Sequence, residues 1–404
     1  MAKNGGYLRA FRHRNFRIVY PANLVSNIGT WAQRIAQDWL VLQLTHSAQD
    51  LGFVTALQFL PTVFVSTWGG LLADRYSKRL LLIYTNLGSA LSAGALGFLI
   101  VGNAVQLWHV YLLSFVLGIF SAIDAPIRQA FNSELVGPED VPNAVSLNSA
   151  NFNIGRLLGP AISGFLIQAF GTGPSFLINA VSYLAVIMAL LALRPNQLDL
   201  PPLAPKGAKI REAWAYVRSR PDLFLVMAAV FTTATFGLNF QIFTALMATT
   251  EFHRKAGDFG ILGTALAIGS LSGAILSARL ERHRTPRKIL TWMAAFGLTL
   301  VPMAFAPDYW AFALMLPVSG VLALVGIISA NSYTQTTTEP SLRGRVMGIY
   351  LLIFMGGTPI CTSLLGIAAQ HWGIRPTIVA CGVITTVAAT LFLVALGKRG
   401  LKHS

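Results

Sequence analysis

The sequence predicts an all-α membrane protein with twelve transmembrane helices in two pseudo-symmetric six-helix bundles. Three observations predict it. Of 404 residues, 54% are hydrophobic and only 11% charged, against the roughly 25% charged residues of a soluble domain. The apolar residues fall into about twelve blocks, each near the ~20 residues that cross the hydrocarbon core of a bilayer as a helix. The chain also repeats itself at an offset of 202 residues: Pro138 aligns with Pro340, Gly155 with Gly357, Gly164 with Gly366, Gln168 with Gln370, Gly171 with Gly373 and Pro174 with Pro376. Most of these are glycines and prolines, which set helix packing and helix ends, so the repeat reads as a duplicated six-helix unit.

The expected helices run near 16–44, 50–73, 80–101, 106–131, 142–170 and 174–194, then 221–250, 257–280, 287–306, 309–332, 342–370 and 374–397. They divide the chain into an N-terminal bundle (1–194), a linker (195–220) and a C-terminal bundle (221–404). The linker begins Arg194-Pro195 and carries four prolines up to Pro205, then an amphipathic stretch with Trp214, Tyr216 and Val217 among Lys209, Arg211 and Arg218. That stretch reads as a helix lying on the membrane surface. Little chain is left for a catalytic domain, so no enzyme is expected. Residues 1–17 are polar and basic, and the block after them lacks the short apolar core of a signal peptide, so it is expected to remain as helix 1.

The net charge of +15 raises the possibility of nucleic-acid binding, and its placement excludes it. Alternating the loops between two sides puts 25 of the 30 Lys and Arg on the side holding both termini. The positive-inside rule makes that side cytoplasmic, with membrane lipids as partners.

Helix 1 carries Asn23, Asn27, Arg34 and Asp38 at about 0°, 40°, 20° and 60° around its axis, one narrow polar stripe. Facing lipid, such a stripe would be prohibitive, so it is expected to line a cavity or face other helices. Arg34 and Asp38 can also pair along the helix. After helix 2 comes Gly69-Gly70-Leu71-Leu72-Ala73-Asp74-Arg75-Tyr76-Ser77-Lys78-Arg79, a carboxylate among cations where the chain leaves the membrane. Gly70, Asp74, Arg75, Lys78 and Arg79, with Arg128 in the last turn of helix 4, form the expected cytoplasmic gate. Asp74 is suited to latch onto a helix N-terminus, whereas its repeat counterpart is Ser277.

Asp124 in helix 4 is either a proton site or the partner of a gate arginine. Arg156, in helix 5, either pairs with Asp124 or lines the substrate cavity. Helix 5 also has Gly155, Gly159, Pro160 and Gly164, a pattern suited to kinking and close helix contact. Helix 7 offers Thr232, Thr235 and Asn239 as hydrogen-bonding groups. Trp39, Trp108, Tyr111, Tyr309, Trp310 and Trp372 read as interfacial anchors, and Cys361 and Cys381 as packing residues. No Walker loop, metal-ligand spacing or nucleophile turn is present, so no cofactor, metal or catalytic residue is expected.

The run after helix 2 resembles the cytoplasmic loop motif of the major facilitator superfamily, small-x-x-Ala-Asp-Arg-x-Gly-Arg-Lys, departing at Ser77. The Gly155–Gly164 run resembles that superfamily's antiporter motif, Gly-x-x-x-Gly-Pro-x-x-Gly-Gly, departing at Ser163. Residues 124–164 and Arg343-Gly344-Arg345-Val346-Met347-Gly348 resemble the bacterial branch similar to the enterobactin exporter and macrolide efflux proteins. The resemblance implies a monomeric secondary transporter that exports a small amphipathic molecule, drug or siderophore-like, in exchange for protons by alternating access. Asp38 and Asp124 are the candidate coupling acids. A lipid flippase of the same fold is the alternative.

Overall fold

A computed structural model describes residues 8–137, 139–198, 210–280, 285–339 and 342–398, and every regular element among them is helical. The side chains of residues 66–71, 73–75 and 210 lie outside the described residues, and so do Pro138 and Pro340. The expected gate residues Gly70, Asp74 and Arg75 therefore fall outside the description.

After a single 3-10 turn come α1 (Arg14–Thr45), α2 (Ala48–Arg75), α3 (Lys78–Val101), α4 (Leu107–Glu134), α5 (Val141–Phe170) and α6 (Gly173–Leu191). Next comes the short α7 (Ile210–Ser219). Helix 7 of the sequence reading is interrupted: α8 (Pro221–Thr232), a π segment (Thr233–Gly237), α9 (Phe240–Leu246) and a second π segment (Met247–Glu251). Then follow α10 (Ala256–Arg279), α11 (Pro286–Ala304) and α12 (Tyr309–Thr337). The expected eleventh helix is two, α13 (Arg343–Gly356) and α14 (Thr358–Trp372), before the final α15 (Ile374–Lys398). Two glycines followed by Thr358-Pro359 explain that break, because glycine weakens a helix and proline lacks the N–H of the ladder.

Nine of the described helical stretches are long and apolar enough to cross a membrane. The stretches α1, α5 and α11 are not among them. Polar side chains are the reason in α1, with Gln33, Arg34, Gln37 and Asp38, and in α5, with Arg156 and four asparagines; α11 is short and opens on Arg287-Lys288.

Met1–His46 and Leu57–Pro205 make one compact unit, and Ser47–Ala56 with Lys206–Ser404 a second. Within the first, α1 packs on α5 and α6, and α3 on α4 and α6. One end of it is closed by Phe16, Val19, Leu82, Ile127, Phe131, Val186 and Leu190. Within the second, α10 packs on α12, and α11 on α12 and α15. The first turns of α2 belong there too: a Cβ on Gly52 would lie 2.9 Å from Gly366 Cα, and Ala48 N–H donates to Gln370 Oε1 at 2.8 Å.

The repeat positions do matching work in both units. Gly171 ends α5 with φ +79° and Gly373 ends α14 with φ +86°, the left-handed region where a side chain is strained. Gly155 lets α5 approach α1 at Asn27, and Gly357 lets α14 approach Thr235 after α8. Pro174 and Pro376 stand in the first turns of α6 and α15, where their missing N–H costs nothing.

Candidate functional site

The polar stripe of α1 borders a cavity of about 250 Å³ within the first unit. Asn23, Ser26, Asn27, Thr30, Trp31 and Arg34 supply its α1 wall. Asn86 and Ser89 come from α3, Ser121, Asp124, Ala125 and Arg128 from α4, Phe152 from α5 and Tyr183 from α6. Helix periodicity explains the convergence: positions three, four and seven apart share a face, and the apolar residues between them pack against neighbours or face outward.

The strongest interaction in the cavity is a fork. Arg128 Nε donates to Asp124 Oδ1 at 2.6 Å and Nη2 to Oδ2 at 2.8 Å, across one helical turn. Thr85 Oγ1 donates to the same Oδ2 at 2.7 Å, and Asn86 Nδ2 at 3.1 Å. Four donor atoms thus converge on the Asp124 carboxylate, two of them charge-assisted. The free edge of the guanidinium reaches Asn23, with Nη1 donating to Oδ1 at 2.5 Å. From sequence Arg128 is expected among the gate cations, at the cytoplasmic end of helix 4. The structure carries α4 on to Glu134, places Arg128 on the cavity wall and gives Asp124 an arginine of its own helix.

Arg34 lies deeper along the stripe. Its guanidinium carbon stands 4.9 Å from the Trp31 ring centroid and 5.5 Å from that of Phe59, cation–π distances, and among the described residues its Nε has no hydrogen-bond partner. Asp38 and Tyr183 are its electrostatic neighbours. Asp38 is fully buried and is not part of the cavity lining. Beside it α1 contributes buried amides: Gln33 Oε1 accepts from Asn179 Nδ2 at 2.7 Å, and Gln37 Nε2 donates to Gln58 Oε1 at 3.3 Å. The cavity lining holds two guanidiniums against one carboxylate.

Asn27 Nδ2 donates to Asn151 Oδ1 at 2.6 Å, tying the stripe to α5. Just beyond, Gly155 and Gly159 set the closeness of that contact: a Cβ on Gly159 would overlap the Trp31 side chain and stand 3.0 Å from Ala32 N. Pro160 and Gly164 are buried in an α5 that runs unbroken through them. Arg156 is half-buried and is not a lining residue of this cavity.

The other two described gate residues, Lys78 and Arg79, also act inside the first unit. Lys78 Nζ pairs with Glu134 Oε1 at 2.7 Å, joining the start of α3 to the end of α4. Arg79 donates to Leu190 O at 2.7 Å and Leu191 O at 3.0 Å, capping the last turn of α6 where carbonyls lack helical partners. In the second unit Ser277 is fully buried, 3.4 Å from Ser329 Oγ.

The residues expected on helix 7 serve its interruption. Asn239 Nδ2 donates to Thr235 O at 2.7 Å and Phe236 O at 3.1 Å, satisfying carbonyls at the π segment. Thr232 Oγ1 bonds Ala229 O at 3.1 Å within its own helix. Thr235 is buried against Gly357.

Sequence reasoning missed Thr85, Asn86, Ser89 and Tyr183. A signal was present for the first three: Thr85, Ser89 and Ser92 recur at helical spacing, with Asn86 beside them, in an otherwise apolar α3. Tyr183 had none.

The profile of a family described as transmembrane secretion effector, a branch of the major facilitator superfamily, matches residues 6–399. The chain belongs to that family. The chain is 25% identical over 388 residues to the staphyloferrin A transporter of Staphylococcus aureus, covering 95% of this chain and 96% of the relative. It is 28% identical over 381 residues to the multidrug efflux pump Tap of Mycolicibacterium fortuitum, covering 90% and 91%. Against the enterobactin exporter EntS of Shigella flexneri it is 24% identical over 363 residues, covering 88% and 85%.

Among solved structures, a bacterial homologue of the human lysosomal transporter Spinster superposes with a TM-score of 0.76 at 15% identity, over 97% of this chain and 98% of the other. A D-xylose–proton symporter superposes with a TM-score of 0.71 at 13% identity, over 93% and 97%. The fold is thus of the major facilitator type, and the protein is a multi-pass membrane transporter of the efflux type, not an enzyme.

Proposed function

We propose that this transporter exports a small, polar-headed amphipathic molecule, drug or siderophore-like, across the bacterial cytoplasmic membrane by alternating access, in exchange for protons. The observation that carries it is the cavity of the first unit, where Arg34, Arg128, Asp124 and an arc of asparagine and serine side chains meet between apolar helices. Groups of this kind are costly within a membrane and are retained where a polar cargo or an ion must pass. The enterobactin exporter and the efflux pump Tap, each aligned over most of the chain, favour outward movement of such cargo over lipid flipping.

In this reading twelve spans form two working halves, 1–194 and 221–404, joined by 195–220, with both termini cytoplasmic and a monomer as the functional form. Asn23, Asn27 and Arg34 engage cargo from the first half. Arg128 and Asp124 hold each other as a fixed, self-neutralised pair, and Arg34 leaves the cavity lining net positive, so a lipophilic cation meets like charge. Asp38 is the stronger candidate for proton exchange, because Asp124 is saturated by four donors. Asp74 is the cytoplasmic latch that Ser277 does not duplicate.

Proteoliposomes under an imposed pH gradient test the proposal, screened with catecholate siderophores, macrolides and lysophospholipids together. Gradient-dependent movement of a catecholate or macrolide is expected. Movement of lysophospholipid alone would establish the flippase instead, and transport indifferent to the gradient would remove proton exchange.

A further inference from the structure

The short α7 is anchored by one face only. Ala213 and Val217 are fully buried, in one apolar cluster with Leu223 of α8, Val346 of α13 and Leu396 of α15. Its flank is pinned by Glu212, whose Oε2 accepts from Arg345 Nη1 at 2.6 Å. Behind it Arg220 forks onto Asp222 at 2.6 and 2.9 Å, and Asp222 accepts also from Tyr333 Oη at 2.6 Å. The position of α7 is therefore set by the second unit itself.

The opposite face is a stripe of different chemistry. Arg211, Trp214, Ala215 and Arg218 are all exposed, and at ~100° per residue they span an arc of about 100°. Along the axis Trp214 stands between the two arginines, about 40–60° round from them. Arg343 at the start of α13, against which α7 packs, and Lys398 at the end of α15, which shares the same apolar cluster, are exposed. An exposed indole among cations, on a helix whose other face is occupied, matches the interface between acyl chains and anionic headgroups: the ring sits at headgroup depth and the guanidiniums bind phosphate.

We propose that the Arg211–Trp214–Arg218 face of α7 binds anionic phospholipid headgroups of the membrane that the chain spans, holding the linker end of the second unit to the bilayer surface. The occupant is a lipid surface in preference to a nucleic acid or an acidic protein, because the aromatic residue lies inside the cationic stripe and the protein is already resident in a membrane.

The test uses the full chain reconstituted in vesicles of phosphatidylcholine mixed with phosphatidylglycerol, with bromines placed near the headgroup of one lipid or the other. The Trp214 signal is the difference between wild type and Trp214→Phe. Quenching of that signal is expected to be greater by brominated phosphatidylglycerol than by brominated phosphatidylcholine, and the preference should fall with salt. Arg211→Gln with Arg218→Gln should lower the preference on the order of tenfold. Both positions are exposed, and if the double variant fails to reconstitute, Arg218→Gln alone should show a smaller loss. A Trp214 signal quenched by aqueous acrylamide and by neither lipid would overturn the proposal. So would equal quenching by the two lipids in wild type, or a preference that survives both substitutions. Displacement of the lipid quenching by a short RNA or an acidic peptide would move the assignment to that partner. None of these readouts involves cargo, so the export proposal stands or falls separately.

Discussion

Replacing Arg128 with glutamine leaves Asp124 with only Thr85 and Asn86 as donors, removing the two charge-assisted bonds of 2.6 and 2.8 Å. Breaking a buried ion pair from one side costs about 3–5 kcal/mol. The side chains here are 16% and 24% exposed, so cavity water offsets part of that cost, and about 2–3 kcal/mol is expected. Asp124→Asn should cost less, about 1–2 kcal/mol, because Arg128 keeps Asn23 and Asn86 and can turn to the cavity. The double variant removes both charges together, so its cost should fall short of the sum by about 1–2 kcal/mol. An exposed i, i+4 pair on a helix couples by only about 0.3–0.5 kcal/mol. The cycle is measured by titrating purified protein from mixed micelles into dodecyl sulfate and following loss of near-ultraviolet dichroism. Coupling below about 0.5 kcal/mol would show that the fork is an ordinary surface pair and remove the fixed-charge role given to Arg128 and Asp124.

Gly159→Val should destabilise the α1–α5 contact by about 1–3 kcal/mol and depress the melting temperature, whereas Gly344→Ala, where a Cβ meets nothing within 4 Å, should be neutral or slightly stabilising. Asp38→Asn is expected to abolish accumulation driven by a pH gradient while leaving cargo exchange at zero gradient; unchanged gradient-driven transport would return the coupling role to Asp124. At the start of α5, the His13 hydrogen bond, with Arg9 and Arg12 nearby, holds the Asp140 carboxyl below its ordinary range. The stabilisation from this contact is therefore present above the unfolded value of about 3.9 and lost as pH falls through the lower folded value. In a carboxyl-carbon NMR titration, His13→Ala should move the Asp140 midpoint upward.

The sequence by itself determined that this is an all-helical membrane transporter, because a bilayer admits few alternatives for apolar blocks of this length and because the repeat glycines and prolines recur at a constant offset. It also determined that Asn23, Asn27 and Arg34 share a face, since helical periodicity needs no tertiary information. Only the tertiary structure decided which partners that face meets. From sequence the partner of Asp124 is Arg75 or Arg156; the structure gives it Arg128, one turn along its own helix, because α3 brings Thr85 and Asn86 to the same carboxylate and α1 brings Asn23 to the guanidinium. The interruption of helix 7 was likewise hidden in a continuous apolar run: Asn239 reads as a cargo ligand until its amide is seen bonded to Thr235 O and Phe236 O. A side chain's type and periodicity limit what it can contact, but the choice among equivalent partners is made by backbone placement over contacts distant in sequence, and a single sequence does not encode that choice legibly.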